Sequence, residues 1–266
     1  MVRGLDRFRE HFAGFSDRYV LIGGTAATLT MKEAGLAFRA TKDLDILLVV
    51  EALDAAFGER MWQFVEQGGY GIRQTSSGRP RFYRFERPTD ATYPHMIELF
   101  SRRLDDLALG EDAQLTPLPM DETISSLSAI LLDDDCYAFV MQGRRQADEL
   151  AWIEADRLIP LKASAWLDLR AREAAGERID RHDIRKHIND VFRLAQLLAG
   201  DLRVALPGKV AQQFEEFLER AGRERIDLKQ LKVVGVTQVE VIARLRDIYG
   251  APLRVPRGPH HETERF

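Results

Sequence analysis

A four-residue apolar run, Tyr19-Val20-Leu21-Ile22, stops abruptly at Gly23-Gly24, and no other stretch constrains the fold as much. A run this short and apolar suits a buried strand, and a glycine pair suits a tight turn at its end. The residues from 25 to 34 are good helix formers, and Gly35 is placed as a C-terminal stop. The next apolar run, over 44–50, reads as a second strand, and residues 51–66 return to helical periodicity. Further strands are expected near 70–74, 81–86 and 96–100, and a short amphipathic helix over 3–14 opens the chain. This mixture indicates an α/β or α+β core.

The second half changes character. After weaker strand candidates around 125–132 and 137–142, the pattern becomes mainly helical. Helices are expected over 158–172, 184–198, 210–221 and 239–248. In the second of these, Ile184, Ile188, Val191, Ala195 and Leu198 fall on one face. The expected organisation is α+β, with a core domain over 1–156 and a helical C-terminal domain over 157–266. The tail from 251 onward is rich in proline, arginine and histidine and is expected to fray.

With 266 residues, the chain has room for a core domain and a helical partner. No apolar run is long enough to cross a bilayer, and the charged N-terminus has no signal-peptide core. A cytoplasmic protein with no membrane partner is expected. The net charge of −4 argues against coating nucleic acid through overall positive charge, while leaving room for a local basic surface. Cys136 is the only cysteine, which excludes an internal disulfide and a cysteine-rich zinc site. Among apolar neighbours it reads as a buried, inert thiol. Trp62, Trp152 and Trp166 read as core or interface residues. His182 and His187, five apart, share a helical face poorly for a metal pair. Pro259-His260-His261-Glu262 lies in the tail, with no function expected.

Three features follow one another in an order that makes chemical sense. The glycine pair lets the backbone approach a polyphosphate, and free amides at the start of the helix near Thr25 favour an anion. Asp43-Leu44-Asp45 opens the next strand. Residues two apart on a strand face the same side, so both carboxylates can hold one pair of metal ions. Glu98 stands between Ile97 and Leu99, and a carboxylate buried among apolar neighbours needs a cation or a hydrogen-bond donor. Each feature also has an ordinary explanation. Glycine pairs end many strands for steric reasons, Asp-x-Asp commonly marks a solvated turn, and Glu98 can be a strand-edge residue facing water.

Taken together, Ile22-Gly23-Gly24-Thr25-Ala26 and Thr41-Lys42-Asp43-Leu44-Asp45-Ile46 resemble the opening motif of the DNA polymerase β-type nucleotidyltransferase fold. Within it, the resemblance is to the AbiEii/AbiGii toxin-like nucleotidyltransferases, whose MenT relatives are toxins of toxin–antitoxin pairs. That family also carries a lysine on a downstream helix, then a basic residue with an aspartate four positions on. Lys162 looks like the first; Lys186 and Asp190 look like the second. His187 stands where relatives frequently have an aspartate. The resemblance covers residues 19–198.

It implies a mixed-sheet nucleotidyltransferase core with flanking helices, and two Mg2+ ions held by Asp43, Asp45 and Glu98. The implied reaction moves a nucleoside monophosphate from a nucleoside triphosphate to an acceptor hydroxyl. Asp43, Asp45, Lys162 and Asp190 would form the catalytic set, and Gly23, Gly24, Thr25, Lys162 and Lys186 would bind the nucleotide. The toxin relatives point to an RNA acceptor, tRNA above all, and to a cognate antitoxin as partner. Without the resemblance, Lys186 and Asp190 read as an i,i+4 surface ion pair.

The segment from Arg79 to Arg87 interleaves arginines with Phe82, Tyr83 and Phe85, which suits phosphate contact and base stacking. An amphipathic edge strand explains it nearly as well, with Arg81, Tyr83 and Phe85 on one side and Phe82, Arg84 and Glu86 on the other. Two rival functions share the chemistry or the scaffold. One is an antibiotic-modifying nucleotidyltransferase acting on a small polyol, and the other a non-catalytic nucleotide- or partner-binding protein.

Overall fold

The strand expected at 19–22 lies at the centre of the sheet in a computed structural model that describes residues 2–49, 52–71, 82–100 and 133–250. This strand, β1 (Tyr19–Ile22), is buried along its length. It pairs antiparallel with β2 (Asp43–Leu48), placing Ile22 opposite Asp45. Beyond β2 comes β4 (Met96–Phe100), parallel to it, and then β3 (Phe82–Glu86), antiparallel to β4. On the far side of β1 lie β6 (Leu150–Ile153), parallel to β1, and β5 (Arg144–Ala147), antiparallel to β6. The fold is α+β, with a mixed six-stranded sheet in the order β3-β4-β2-β1-β6-β5.

Strand alternation sorts the sheet into two faces. Tyr19, Leu21, Leu44 and Ile46 point one way, towards α1 (Leu5–His11) and α3 (Ala55–Gly68). There an aromatic cluster fills the core: Phe8 meets Tyr19 edge-on at 5.1 Å between ring centroids, and Phe64 meets Tyr93 at 4.8 Å. Val20, Ile22, Asp43 and Asp45 point the other way. That face carries α2 (Gly23–Glu33), with α5 (Ala155–Ala174) and α6 (Arg181–Leu194) packed against α2. The helices α7 (Gly208–Ala221) and α8 (Gln238–Tyr249) complete the C-terminal part. One continuous apolar core runs through strands and helices alike. The helix α5 runs through residue 157.

Local chemistry explains where the elements begin and end. The helix α2 follows β1 without an intervening loop: Gly23, at φ +63°, makes the turn and Gly35, at φ +71°, follows the end. Asp54 caps α3 by accepting from the Phe57 amide, which starts that helix later than its periodicity suggests.

Residues 137–142, expected as a strand, belong instead to α4 (Asp134–Gln142). The side chain of Asp133 accepts from the Cys136 amide, and Asp134 and Asp135 favour the helix N-terminus. The buried positions 136, 137, 139 and 140 then follow a helical period. Within α4 the Cys136 thiol is buried, and burial pushes its pKa up to about 12, as befits an unreactive side chain. Of the strand expected at 70–74, Gly71 makes an isolated bridge with Glu86, and 72–74 lie outside the described residues, as do 125–132.

The hairpin β5–β6 was not anticipated. Its two-residue turn, Asp148-Glu149, has positive φ at both positions (49° and 61°), the conformation usually signalled by Asn-Gly or Asp-Gly. Here tertiary contacts hold it: the Glu149 carboxylate accepts from the Gly14 amide at 3.0 Å, and the Glu149 carbonyl accepts from the Tyr19 hydroxyl at 3.2 Å.

Pro160 stands inside α5 and has no N–H for the Asp156 carbonyl four residues earlier. Tyr249 on α8 donates its hydroxyl to that carbonyl at 2.8 Å, tying the last described helix to the core. Trp152 and Trp166 are buried, whereas Trp62 is half-buried. Among the described residues, no helix is long and apolar enough to cross a membrane.

Candidate functional site

Register brings the carboxylates together. Asp45 on β2 lies directly beside Glu98 on β4, which lies directly across from Arg84 on β3. Asp43 is two residues before Asp45 and so on the same face. Burial pushes the Asp45 pKa up to about 7, and the Glu98 carboxylate beside it, hydrogen-bonded to Asp45, pushes in the same direction. Asp43 is also raised, by burial first and then by Glu98, against the opposing charges of His95, Lys186 and Lys42. The Glu98 carboxylate accepts from the Arg84 guanidinium at 2.7 Å. Glu98 is therefore neither a water-facing edge residue nor a free ligand; it has a resident cation.

The glycine pair is a packing requirement of this row. A Cβ on Gly23 would lie 1.8 Å from Asp45 Oδ2, and one on Gly24 would lie 3.0 Å from Thr41 Oγ1. Thr25 is fully buried and donates its hydroxyl to the Asp43 carbonyl at 3.0 Å, so its side chain positions the strand. No side chain caps the N-terminus of α2, whose first-turn amides lie beside the carboxylates.

Facing the carboxylates from the helical side is a second cluster, centred on Asp190, whose side chain is 0% exposed. The Lys162 ammonium on α5 lies 3.2 Å from one carboxylate oxygen. Arg39, in the chain between α2 and β2, donates to both oxygens, from Nε at 3.0 Å and from Nη2 at 2.8 Å. Arg193 stands 3.5 Å away on the same helix as Asp190. Burial opposes ionisation of Asp190, but Lys162 and Arg39 override it and hold the carboxyl below its usual range. Burial also lowers the Lys162 pKa, helped by Arg39, while Asp190 and Asp45 act to keep it charged.

The i,i+4 surface pair of Lys186 with Asp190, the alternative to their site roles, does not form. Lys186 pairs with Asp183 at 2.8 Å, and Asp190 turns inward. The reason is desolvation: a fully buried carboxylate takes the buried and guanidinium cations that can follow it inside. Arg39 was not singled out from the sequence. The sequence carries no signal for it, because Asp190 lies off the apolar stripe of its helix and its burial is decided by packing from elsewhere in the chain.

The three carboxylates, Lys162 and Arg39 line one cleft of about 450 Å³, which also takes in Lys42, His182, Lys186 and His187. Three of its side-chain atoms are buried without a hydrogen-bond partner: Thr41 Oγ1, Asp43 Oδ1 and His187 Nδ1. Burial, with Lys162 and Lys186 nearby, drives the His187 pKa well below its ordinary value, so the ring is neutral. Among the described residues no three His, Cys, Asp or Glu side chains stand in ligating geometry, and the Glu98 carboxylate is held by Arg84. The donor set nevertheless suits a hard, oxygen-preferring cation: Asp43 has a bare oxygen, and Asp45 and Glu98 crowd like charge together.

The arginine and aromatic segment, expected either as an RNA face or as an amphipathic edge strand, forms the edge strand β3 from Phe82 to Glu86. Arg84 is committed to Glu98, and Phe85 is buried near Tyr70. Arg79 and Arg81 lie outside the described residues, as does the 259–262 segment. Compared with known families and with curated proteins, the sequence matches no family model and no curated protein.

Proposed function

We propose that this chain is a metal-dependent nucleotidyltransferase, with a nucleotidyltransferase-type sheet core, that moves a nucleoside monophosphate from a nucleoside triphosphate to an acceptor hydroxyl. One observation carries the reading. The Asp43, Asp45 and Glu98 carboxylates share a cleft with the cations Lys162 and Arg39, both of which pair with the buried Asp190. Carboxylates alone suit a cation and cations alone suit an anion; side by side they suit a metal–triphosphate complex.

Asp43 and Asp45 would hold Mg2+, joined by Glu98 once it leaves Arg84. When bound, Mg2+ supplies charge neutralisation at the attacking and leaving oxygens. Lys162 and Lys186 draw the triphosphate in, and the bare Cα atoms of Gly23 and Gly24 keep the carboxylate row clear of side chains. Asp190 positions Lys162 and Arg39 and favours the charged form of Lys162. The acceptor hydroxyl attacks the α-phosphorus, the bond to the bridging oxygen breaks, and pyrophosphate leaves with the electron pair. The hydroxyl proton passes to the carboxylate set.

The resemblance to AbiEii/AbiGii toxin-like enzymes supports an RNA acceptor, tRNA in particular, with an antitoxin as partner. The ion pair between Arg84 and Glu98 favours a second reading, a nucleotide-binding protein without turnover. The deciding experiment incubates the protein with magnesium, each α-labelled nucleoside triphosphate in turn, and total bacterial RNA, beside an Asp45→Ala control. Label in tRNA-sized product with the native chain alone is the expected outcome. Nucleotide binding without transfer to RNA or to small hydroxyl acceptors overturns the catalytic reading in favour of the second.

A further inference from the structure

The helix α6 is the wall between two cavities. Its His182, Lys186 and His187 side line the cleft already described, while Arg181, Ile184, Arg185 and Ile188 line a second cavity of about 300 Å³. Residues 181, 182 and 185 form an exposed ridge over the top of the helix, between the two. With a helix about 10 Å across, the cavities are a short step apart.

The second cavity has an apolar floor and a cationic rim. Trp166, Ile184 and Ile188 are buried beneath it, and Ile226 flanks them. Arg170 lies over the Trp166 ring, and its charge is met by Glu173 at 2.9 Å and Glu224 at 3.0 Å. Those are the two carboxylates of the cavity, and both are used. Arg181, Arg185 and Arg225 are exposed on its rim, and among the described residues no carboxylate pairs with any of them. Arg181 is moreover the first residue of α6, at the end where the helix dipole disfavours a cation. Three exposed guanidiniums lining one cavity without a carboxylate partner among the described residues, in a chain of net charge −4, call for an anionic partner.

We infer that Arg181, Arg185 and Arg225 form a docking cradle for a single-stranded stretch of the acceptor polynucleotide, whose backbone passes over the α6 ridge into the catalytic cleft. This rests on the nucleotidyl-transfer reading for the direction of the strand, but the binding itself does not. The guanidiniums take the phosphates of successive nucleotides along the strand. This surface is separate from the arginine and aromatic segment, in which the Arg84 guanidinium is held by Glu98.

The test is direct binding of a fluorescent single-stranded oligoribonucleotide by anisotropy, with the full chain and without nucleotide. Native protein is compared with the Arg181→Ala/Arg185→Ala/Arg225→Ala triple variant. The variant should bind about tenfold or more weakly, and the slope of log affinity against log salt should fall by about 2, the value for three lost single-strand phosphate contacts. Affinity for a labelled nucleoside triphosphate, measured separately, should be unchanged. The single Arg185→Glu variant reads the same effect if the triple variant melts early. Unchanged oligonucleotide affinity in the variants overturns the cradle, and so does a native chain that binds triphosphate but no oligonucleotide; both leave nucleotidyl transfer standing. A chain that binds oligonucleotide through these arginines but no triphosphate upholds the cradle and sinks the transfer reading.

Discussion

Gly23 stands so close to the Asp45 carboxylate that a Cβ there would come within 1.8 Å of Oδ2. The residue also has φ +63°, where a side chain costs about 1–2 kcal/mol. Gly23→Ala therefore combines backbone strain with displacement of a candidate metal ligand. It should lower stability by at least about 1 kcal/mol and abolish nucleotide transfer. Gly24→Ala, whose nearest contact is the 3.0 Å approach to Thr41 Oγ1, should cost less in both. Urea denaturation and the labelling assay, run side by side on the two variants, check the order.

Asp190 is the centre of a buried charge cluster. Asp190→Asn should destabilise the protein by about 3 kcal/mol, because it leaves Lys162 buried without its counter-ion. Lys162→Met in the same chain should recover part of that loss, since the uncompensated charge is gone. Additive costs in the double variant, measured by denaturation, would mean that the two side chains are not coupled.

The raised pKa of Asp45 makes stability depend on pH. A carboxyl whose pKa rises from 3.8 to about 7 on folding binds more protons folded than unfolded between those values. Stability from this group is thus present at low pH and lost as pH rises through that window. Asp45→Asn, which cannot ionise, should gain on the native chain progressively from pH 4 to pH 7 and hold a constant advantage above. Magnesium should narrow that advantage at pH 8 by stabilising only the native chain. Denaturation midpoints of both proteins across this pH range, with and without magnesium, provide the measurement.

On the proposed reading, Arg84 and a metal ion would compete for Glu98. Removing it as Arg84→Ala should lower the magnesium concentration that half-saturates transfer, because the carboxylate no longer has to break an ion pair. A magnesium titration in which the half-saturation point stays put or rises would show that Glu98 remains with the arginine throughout.

Tyr249 replaces the hydrogen bond that Pro160 cannot make. Tyr249→Phe leaves the Asp156 carbonyl unsatisfied inside the protein and should cost about 1–3 kcal/mol. In a Pro160→Ala background the helix supplies its own N–H, so the same substitution should cost less. Equal costs in the two backgrounds, measured by thermal or urea denaturation, would sever this link between α8 and α5.

Local pattern determined the elements and part of the site. The strand-to-glycine junction, the apolar run after Asp43 and the period of α6 are properties of neighbouring residues, and they placed β1, α2, β2 and the main helices. The spacing of Asp43 and Asp45 was enough to put both carboxylates on one face, because side-chain direction on a strand alternates regardless of what packs around it. Other elements were decided by contacts from elsewhere. The turn at Asp148-Glu149 depends on Gly14 and Tyr19, and α4 won over the strand expected there through the Asp133 cap. Partner choice among the charges was likewise beyond the sequence. Arg39 and Asp190 are separated by 151 positions, and Glu98 found Arg84 only because β3 and β4 pair in that register. Sequence periodicity reports which way a side chain points. Which charges meet depends on which are desolvated together, and that is set when distant segments pack.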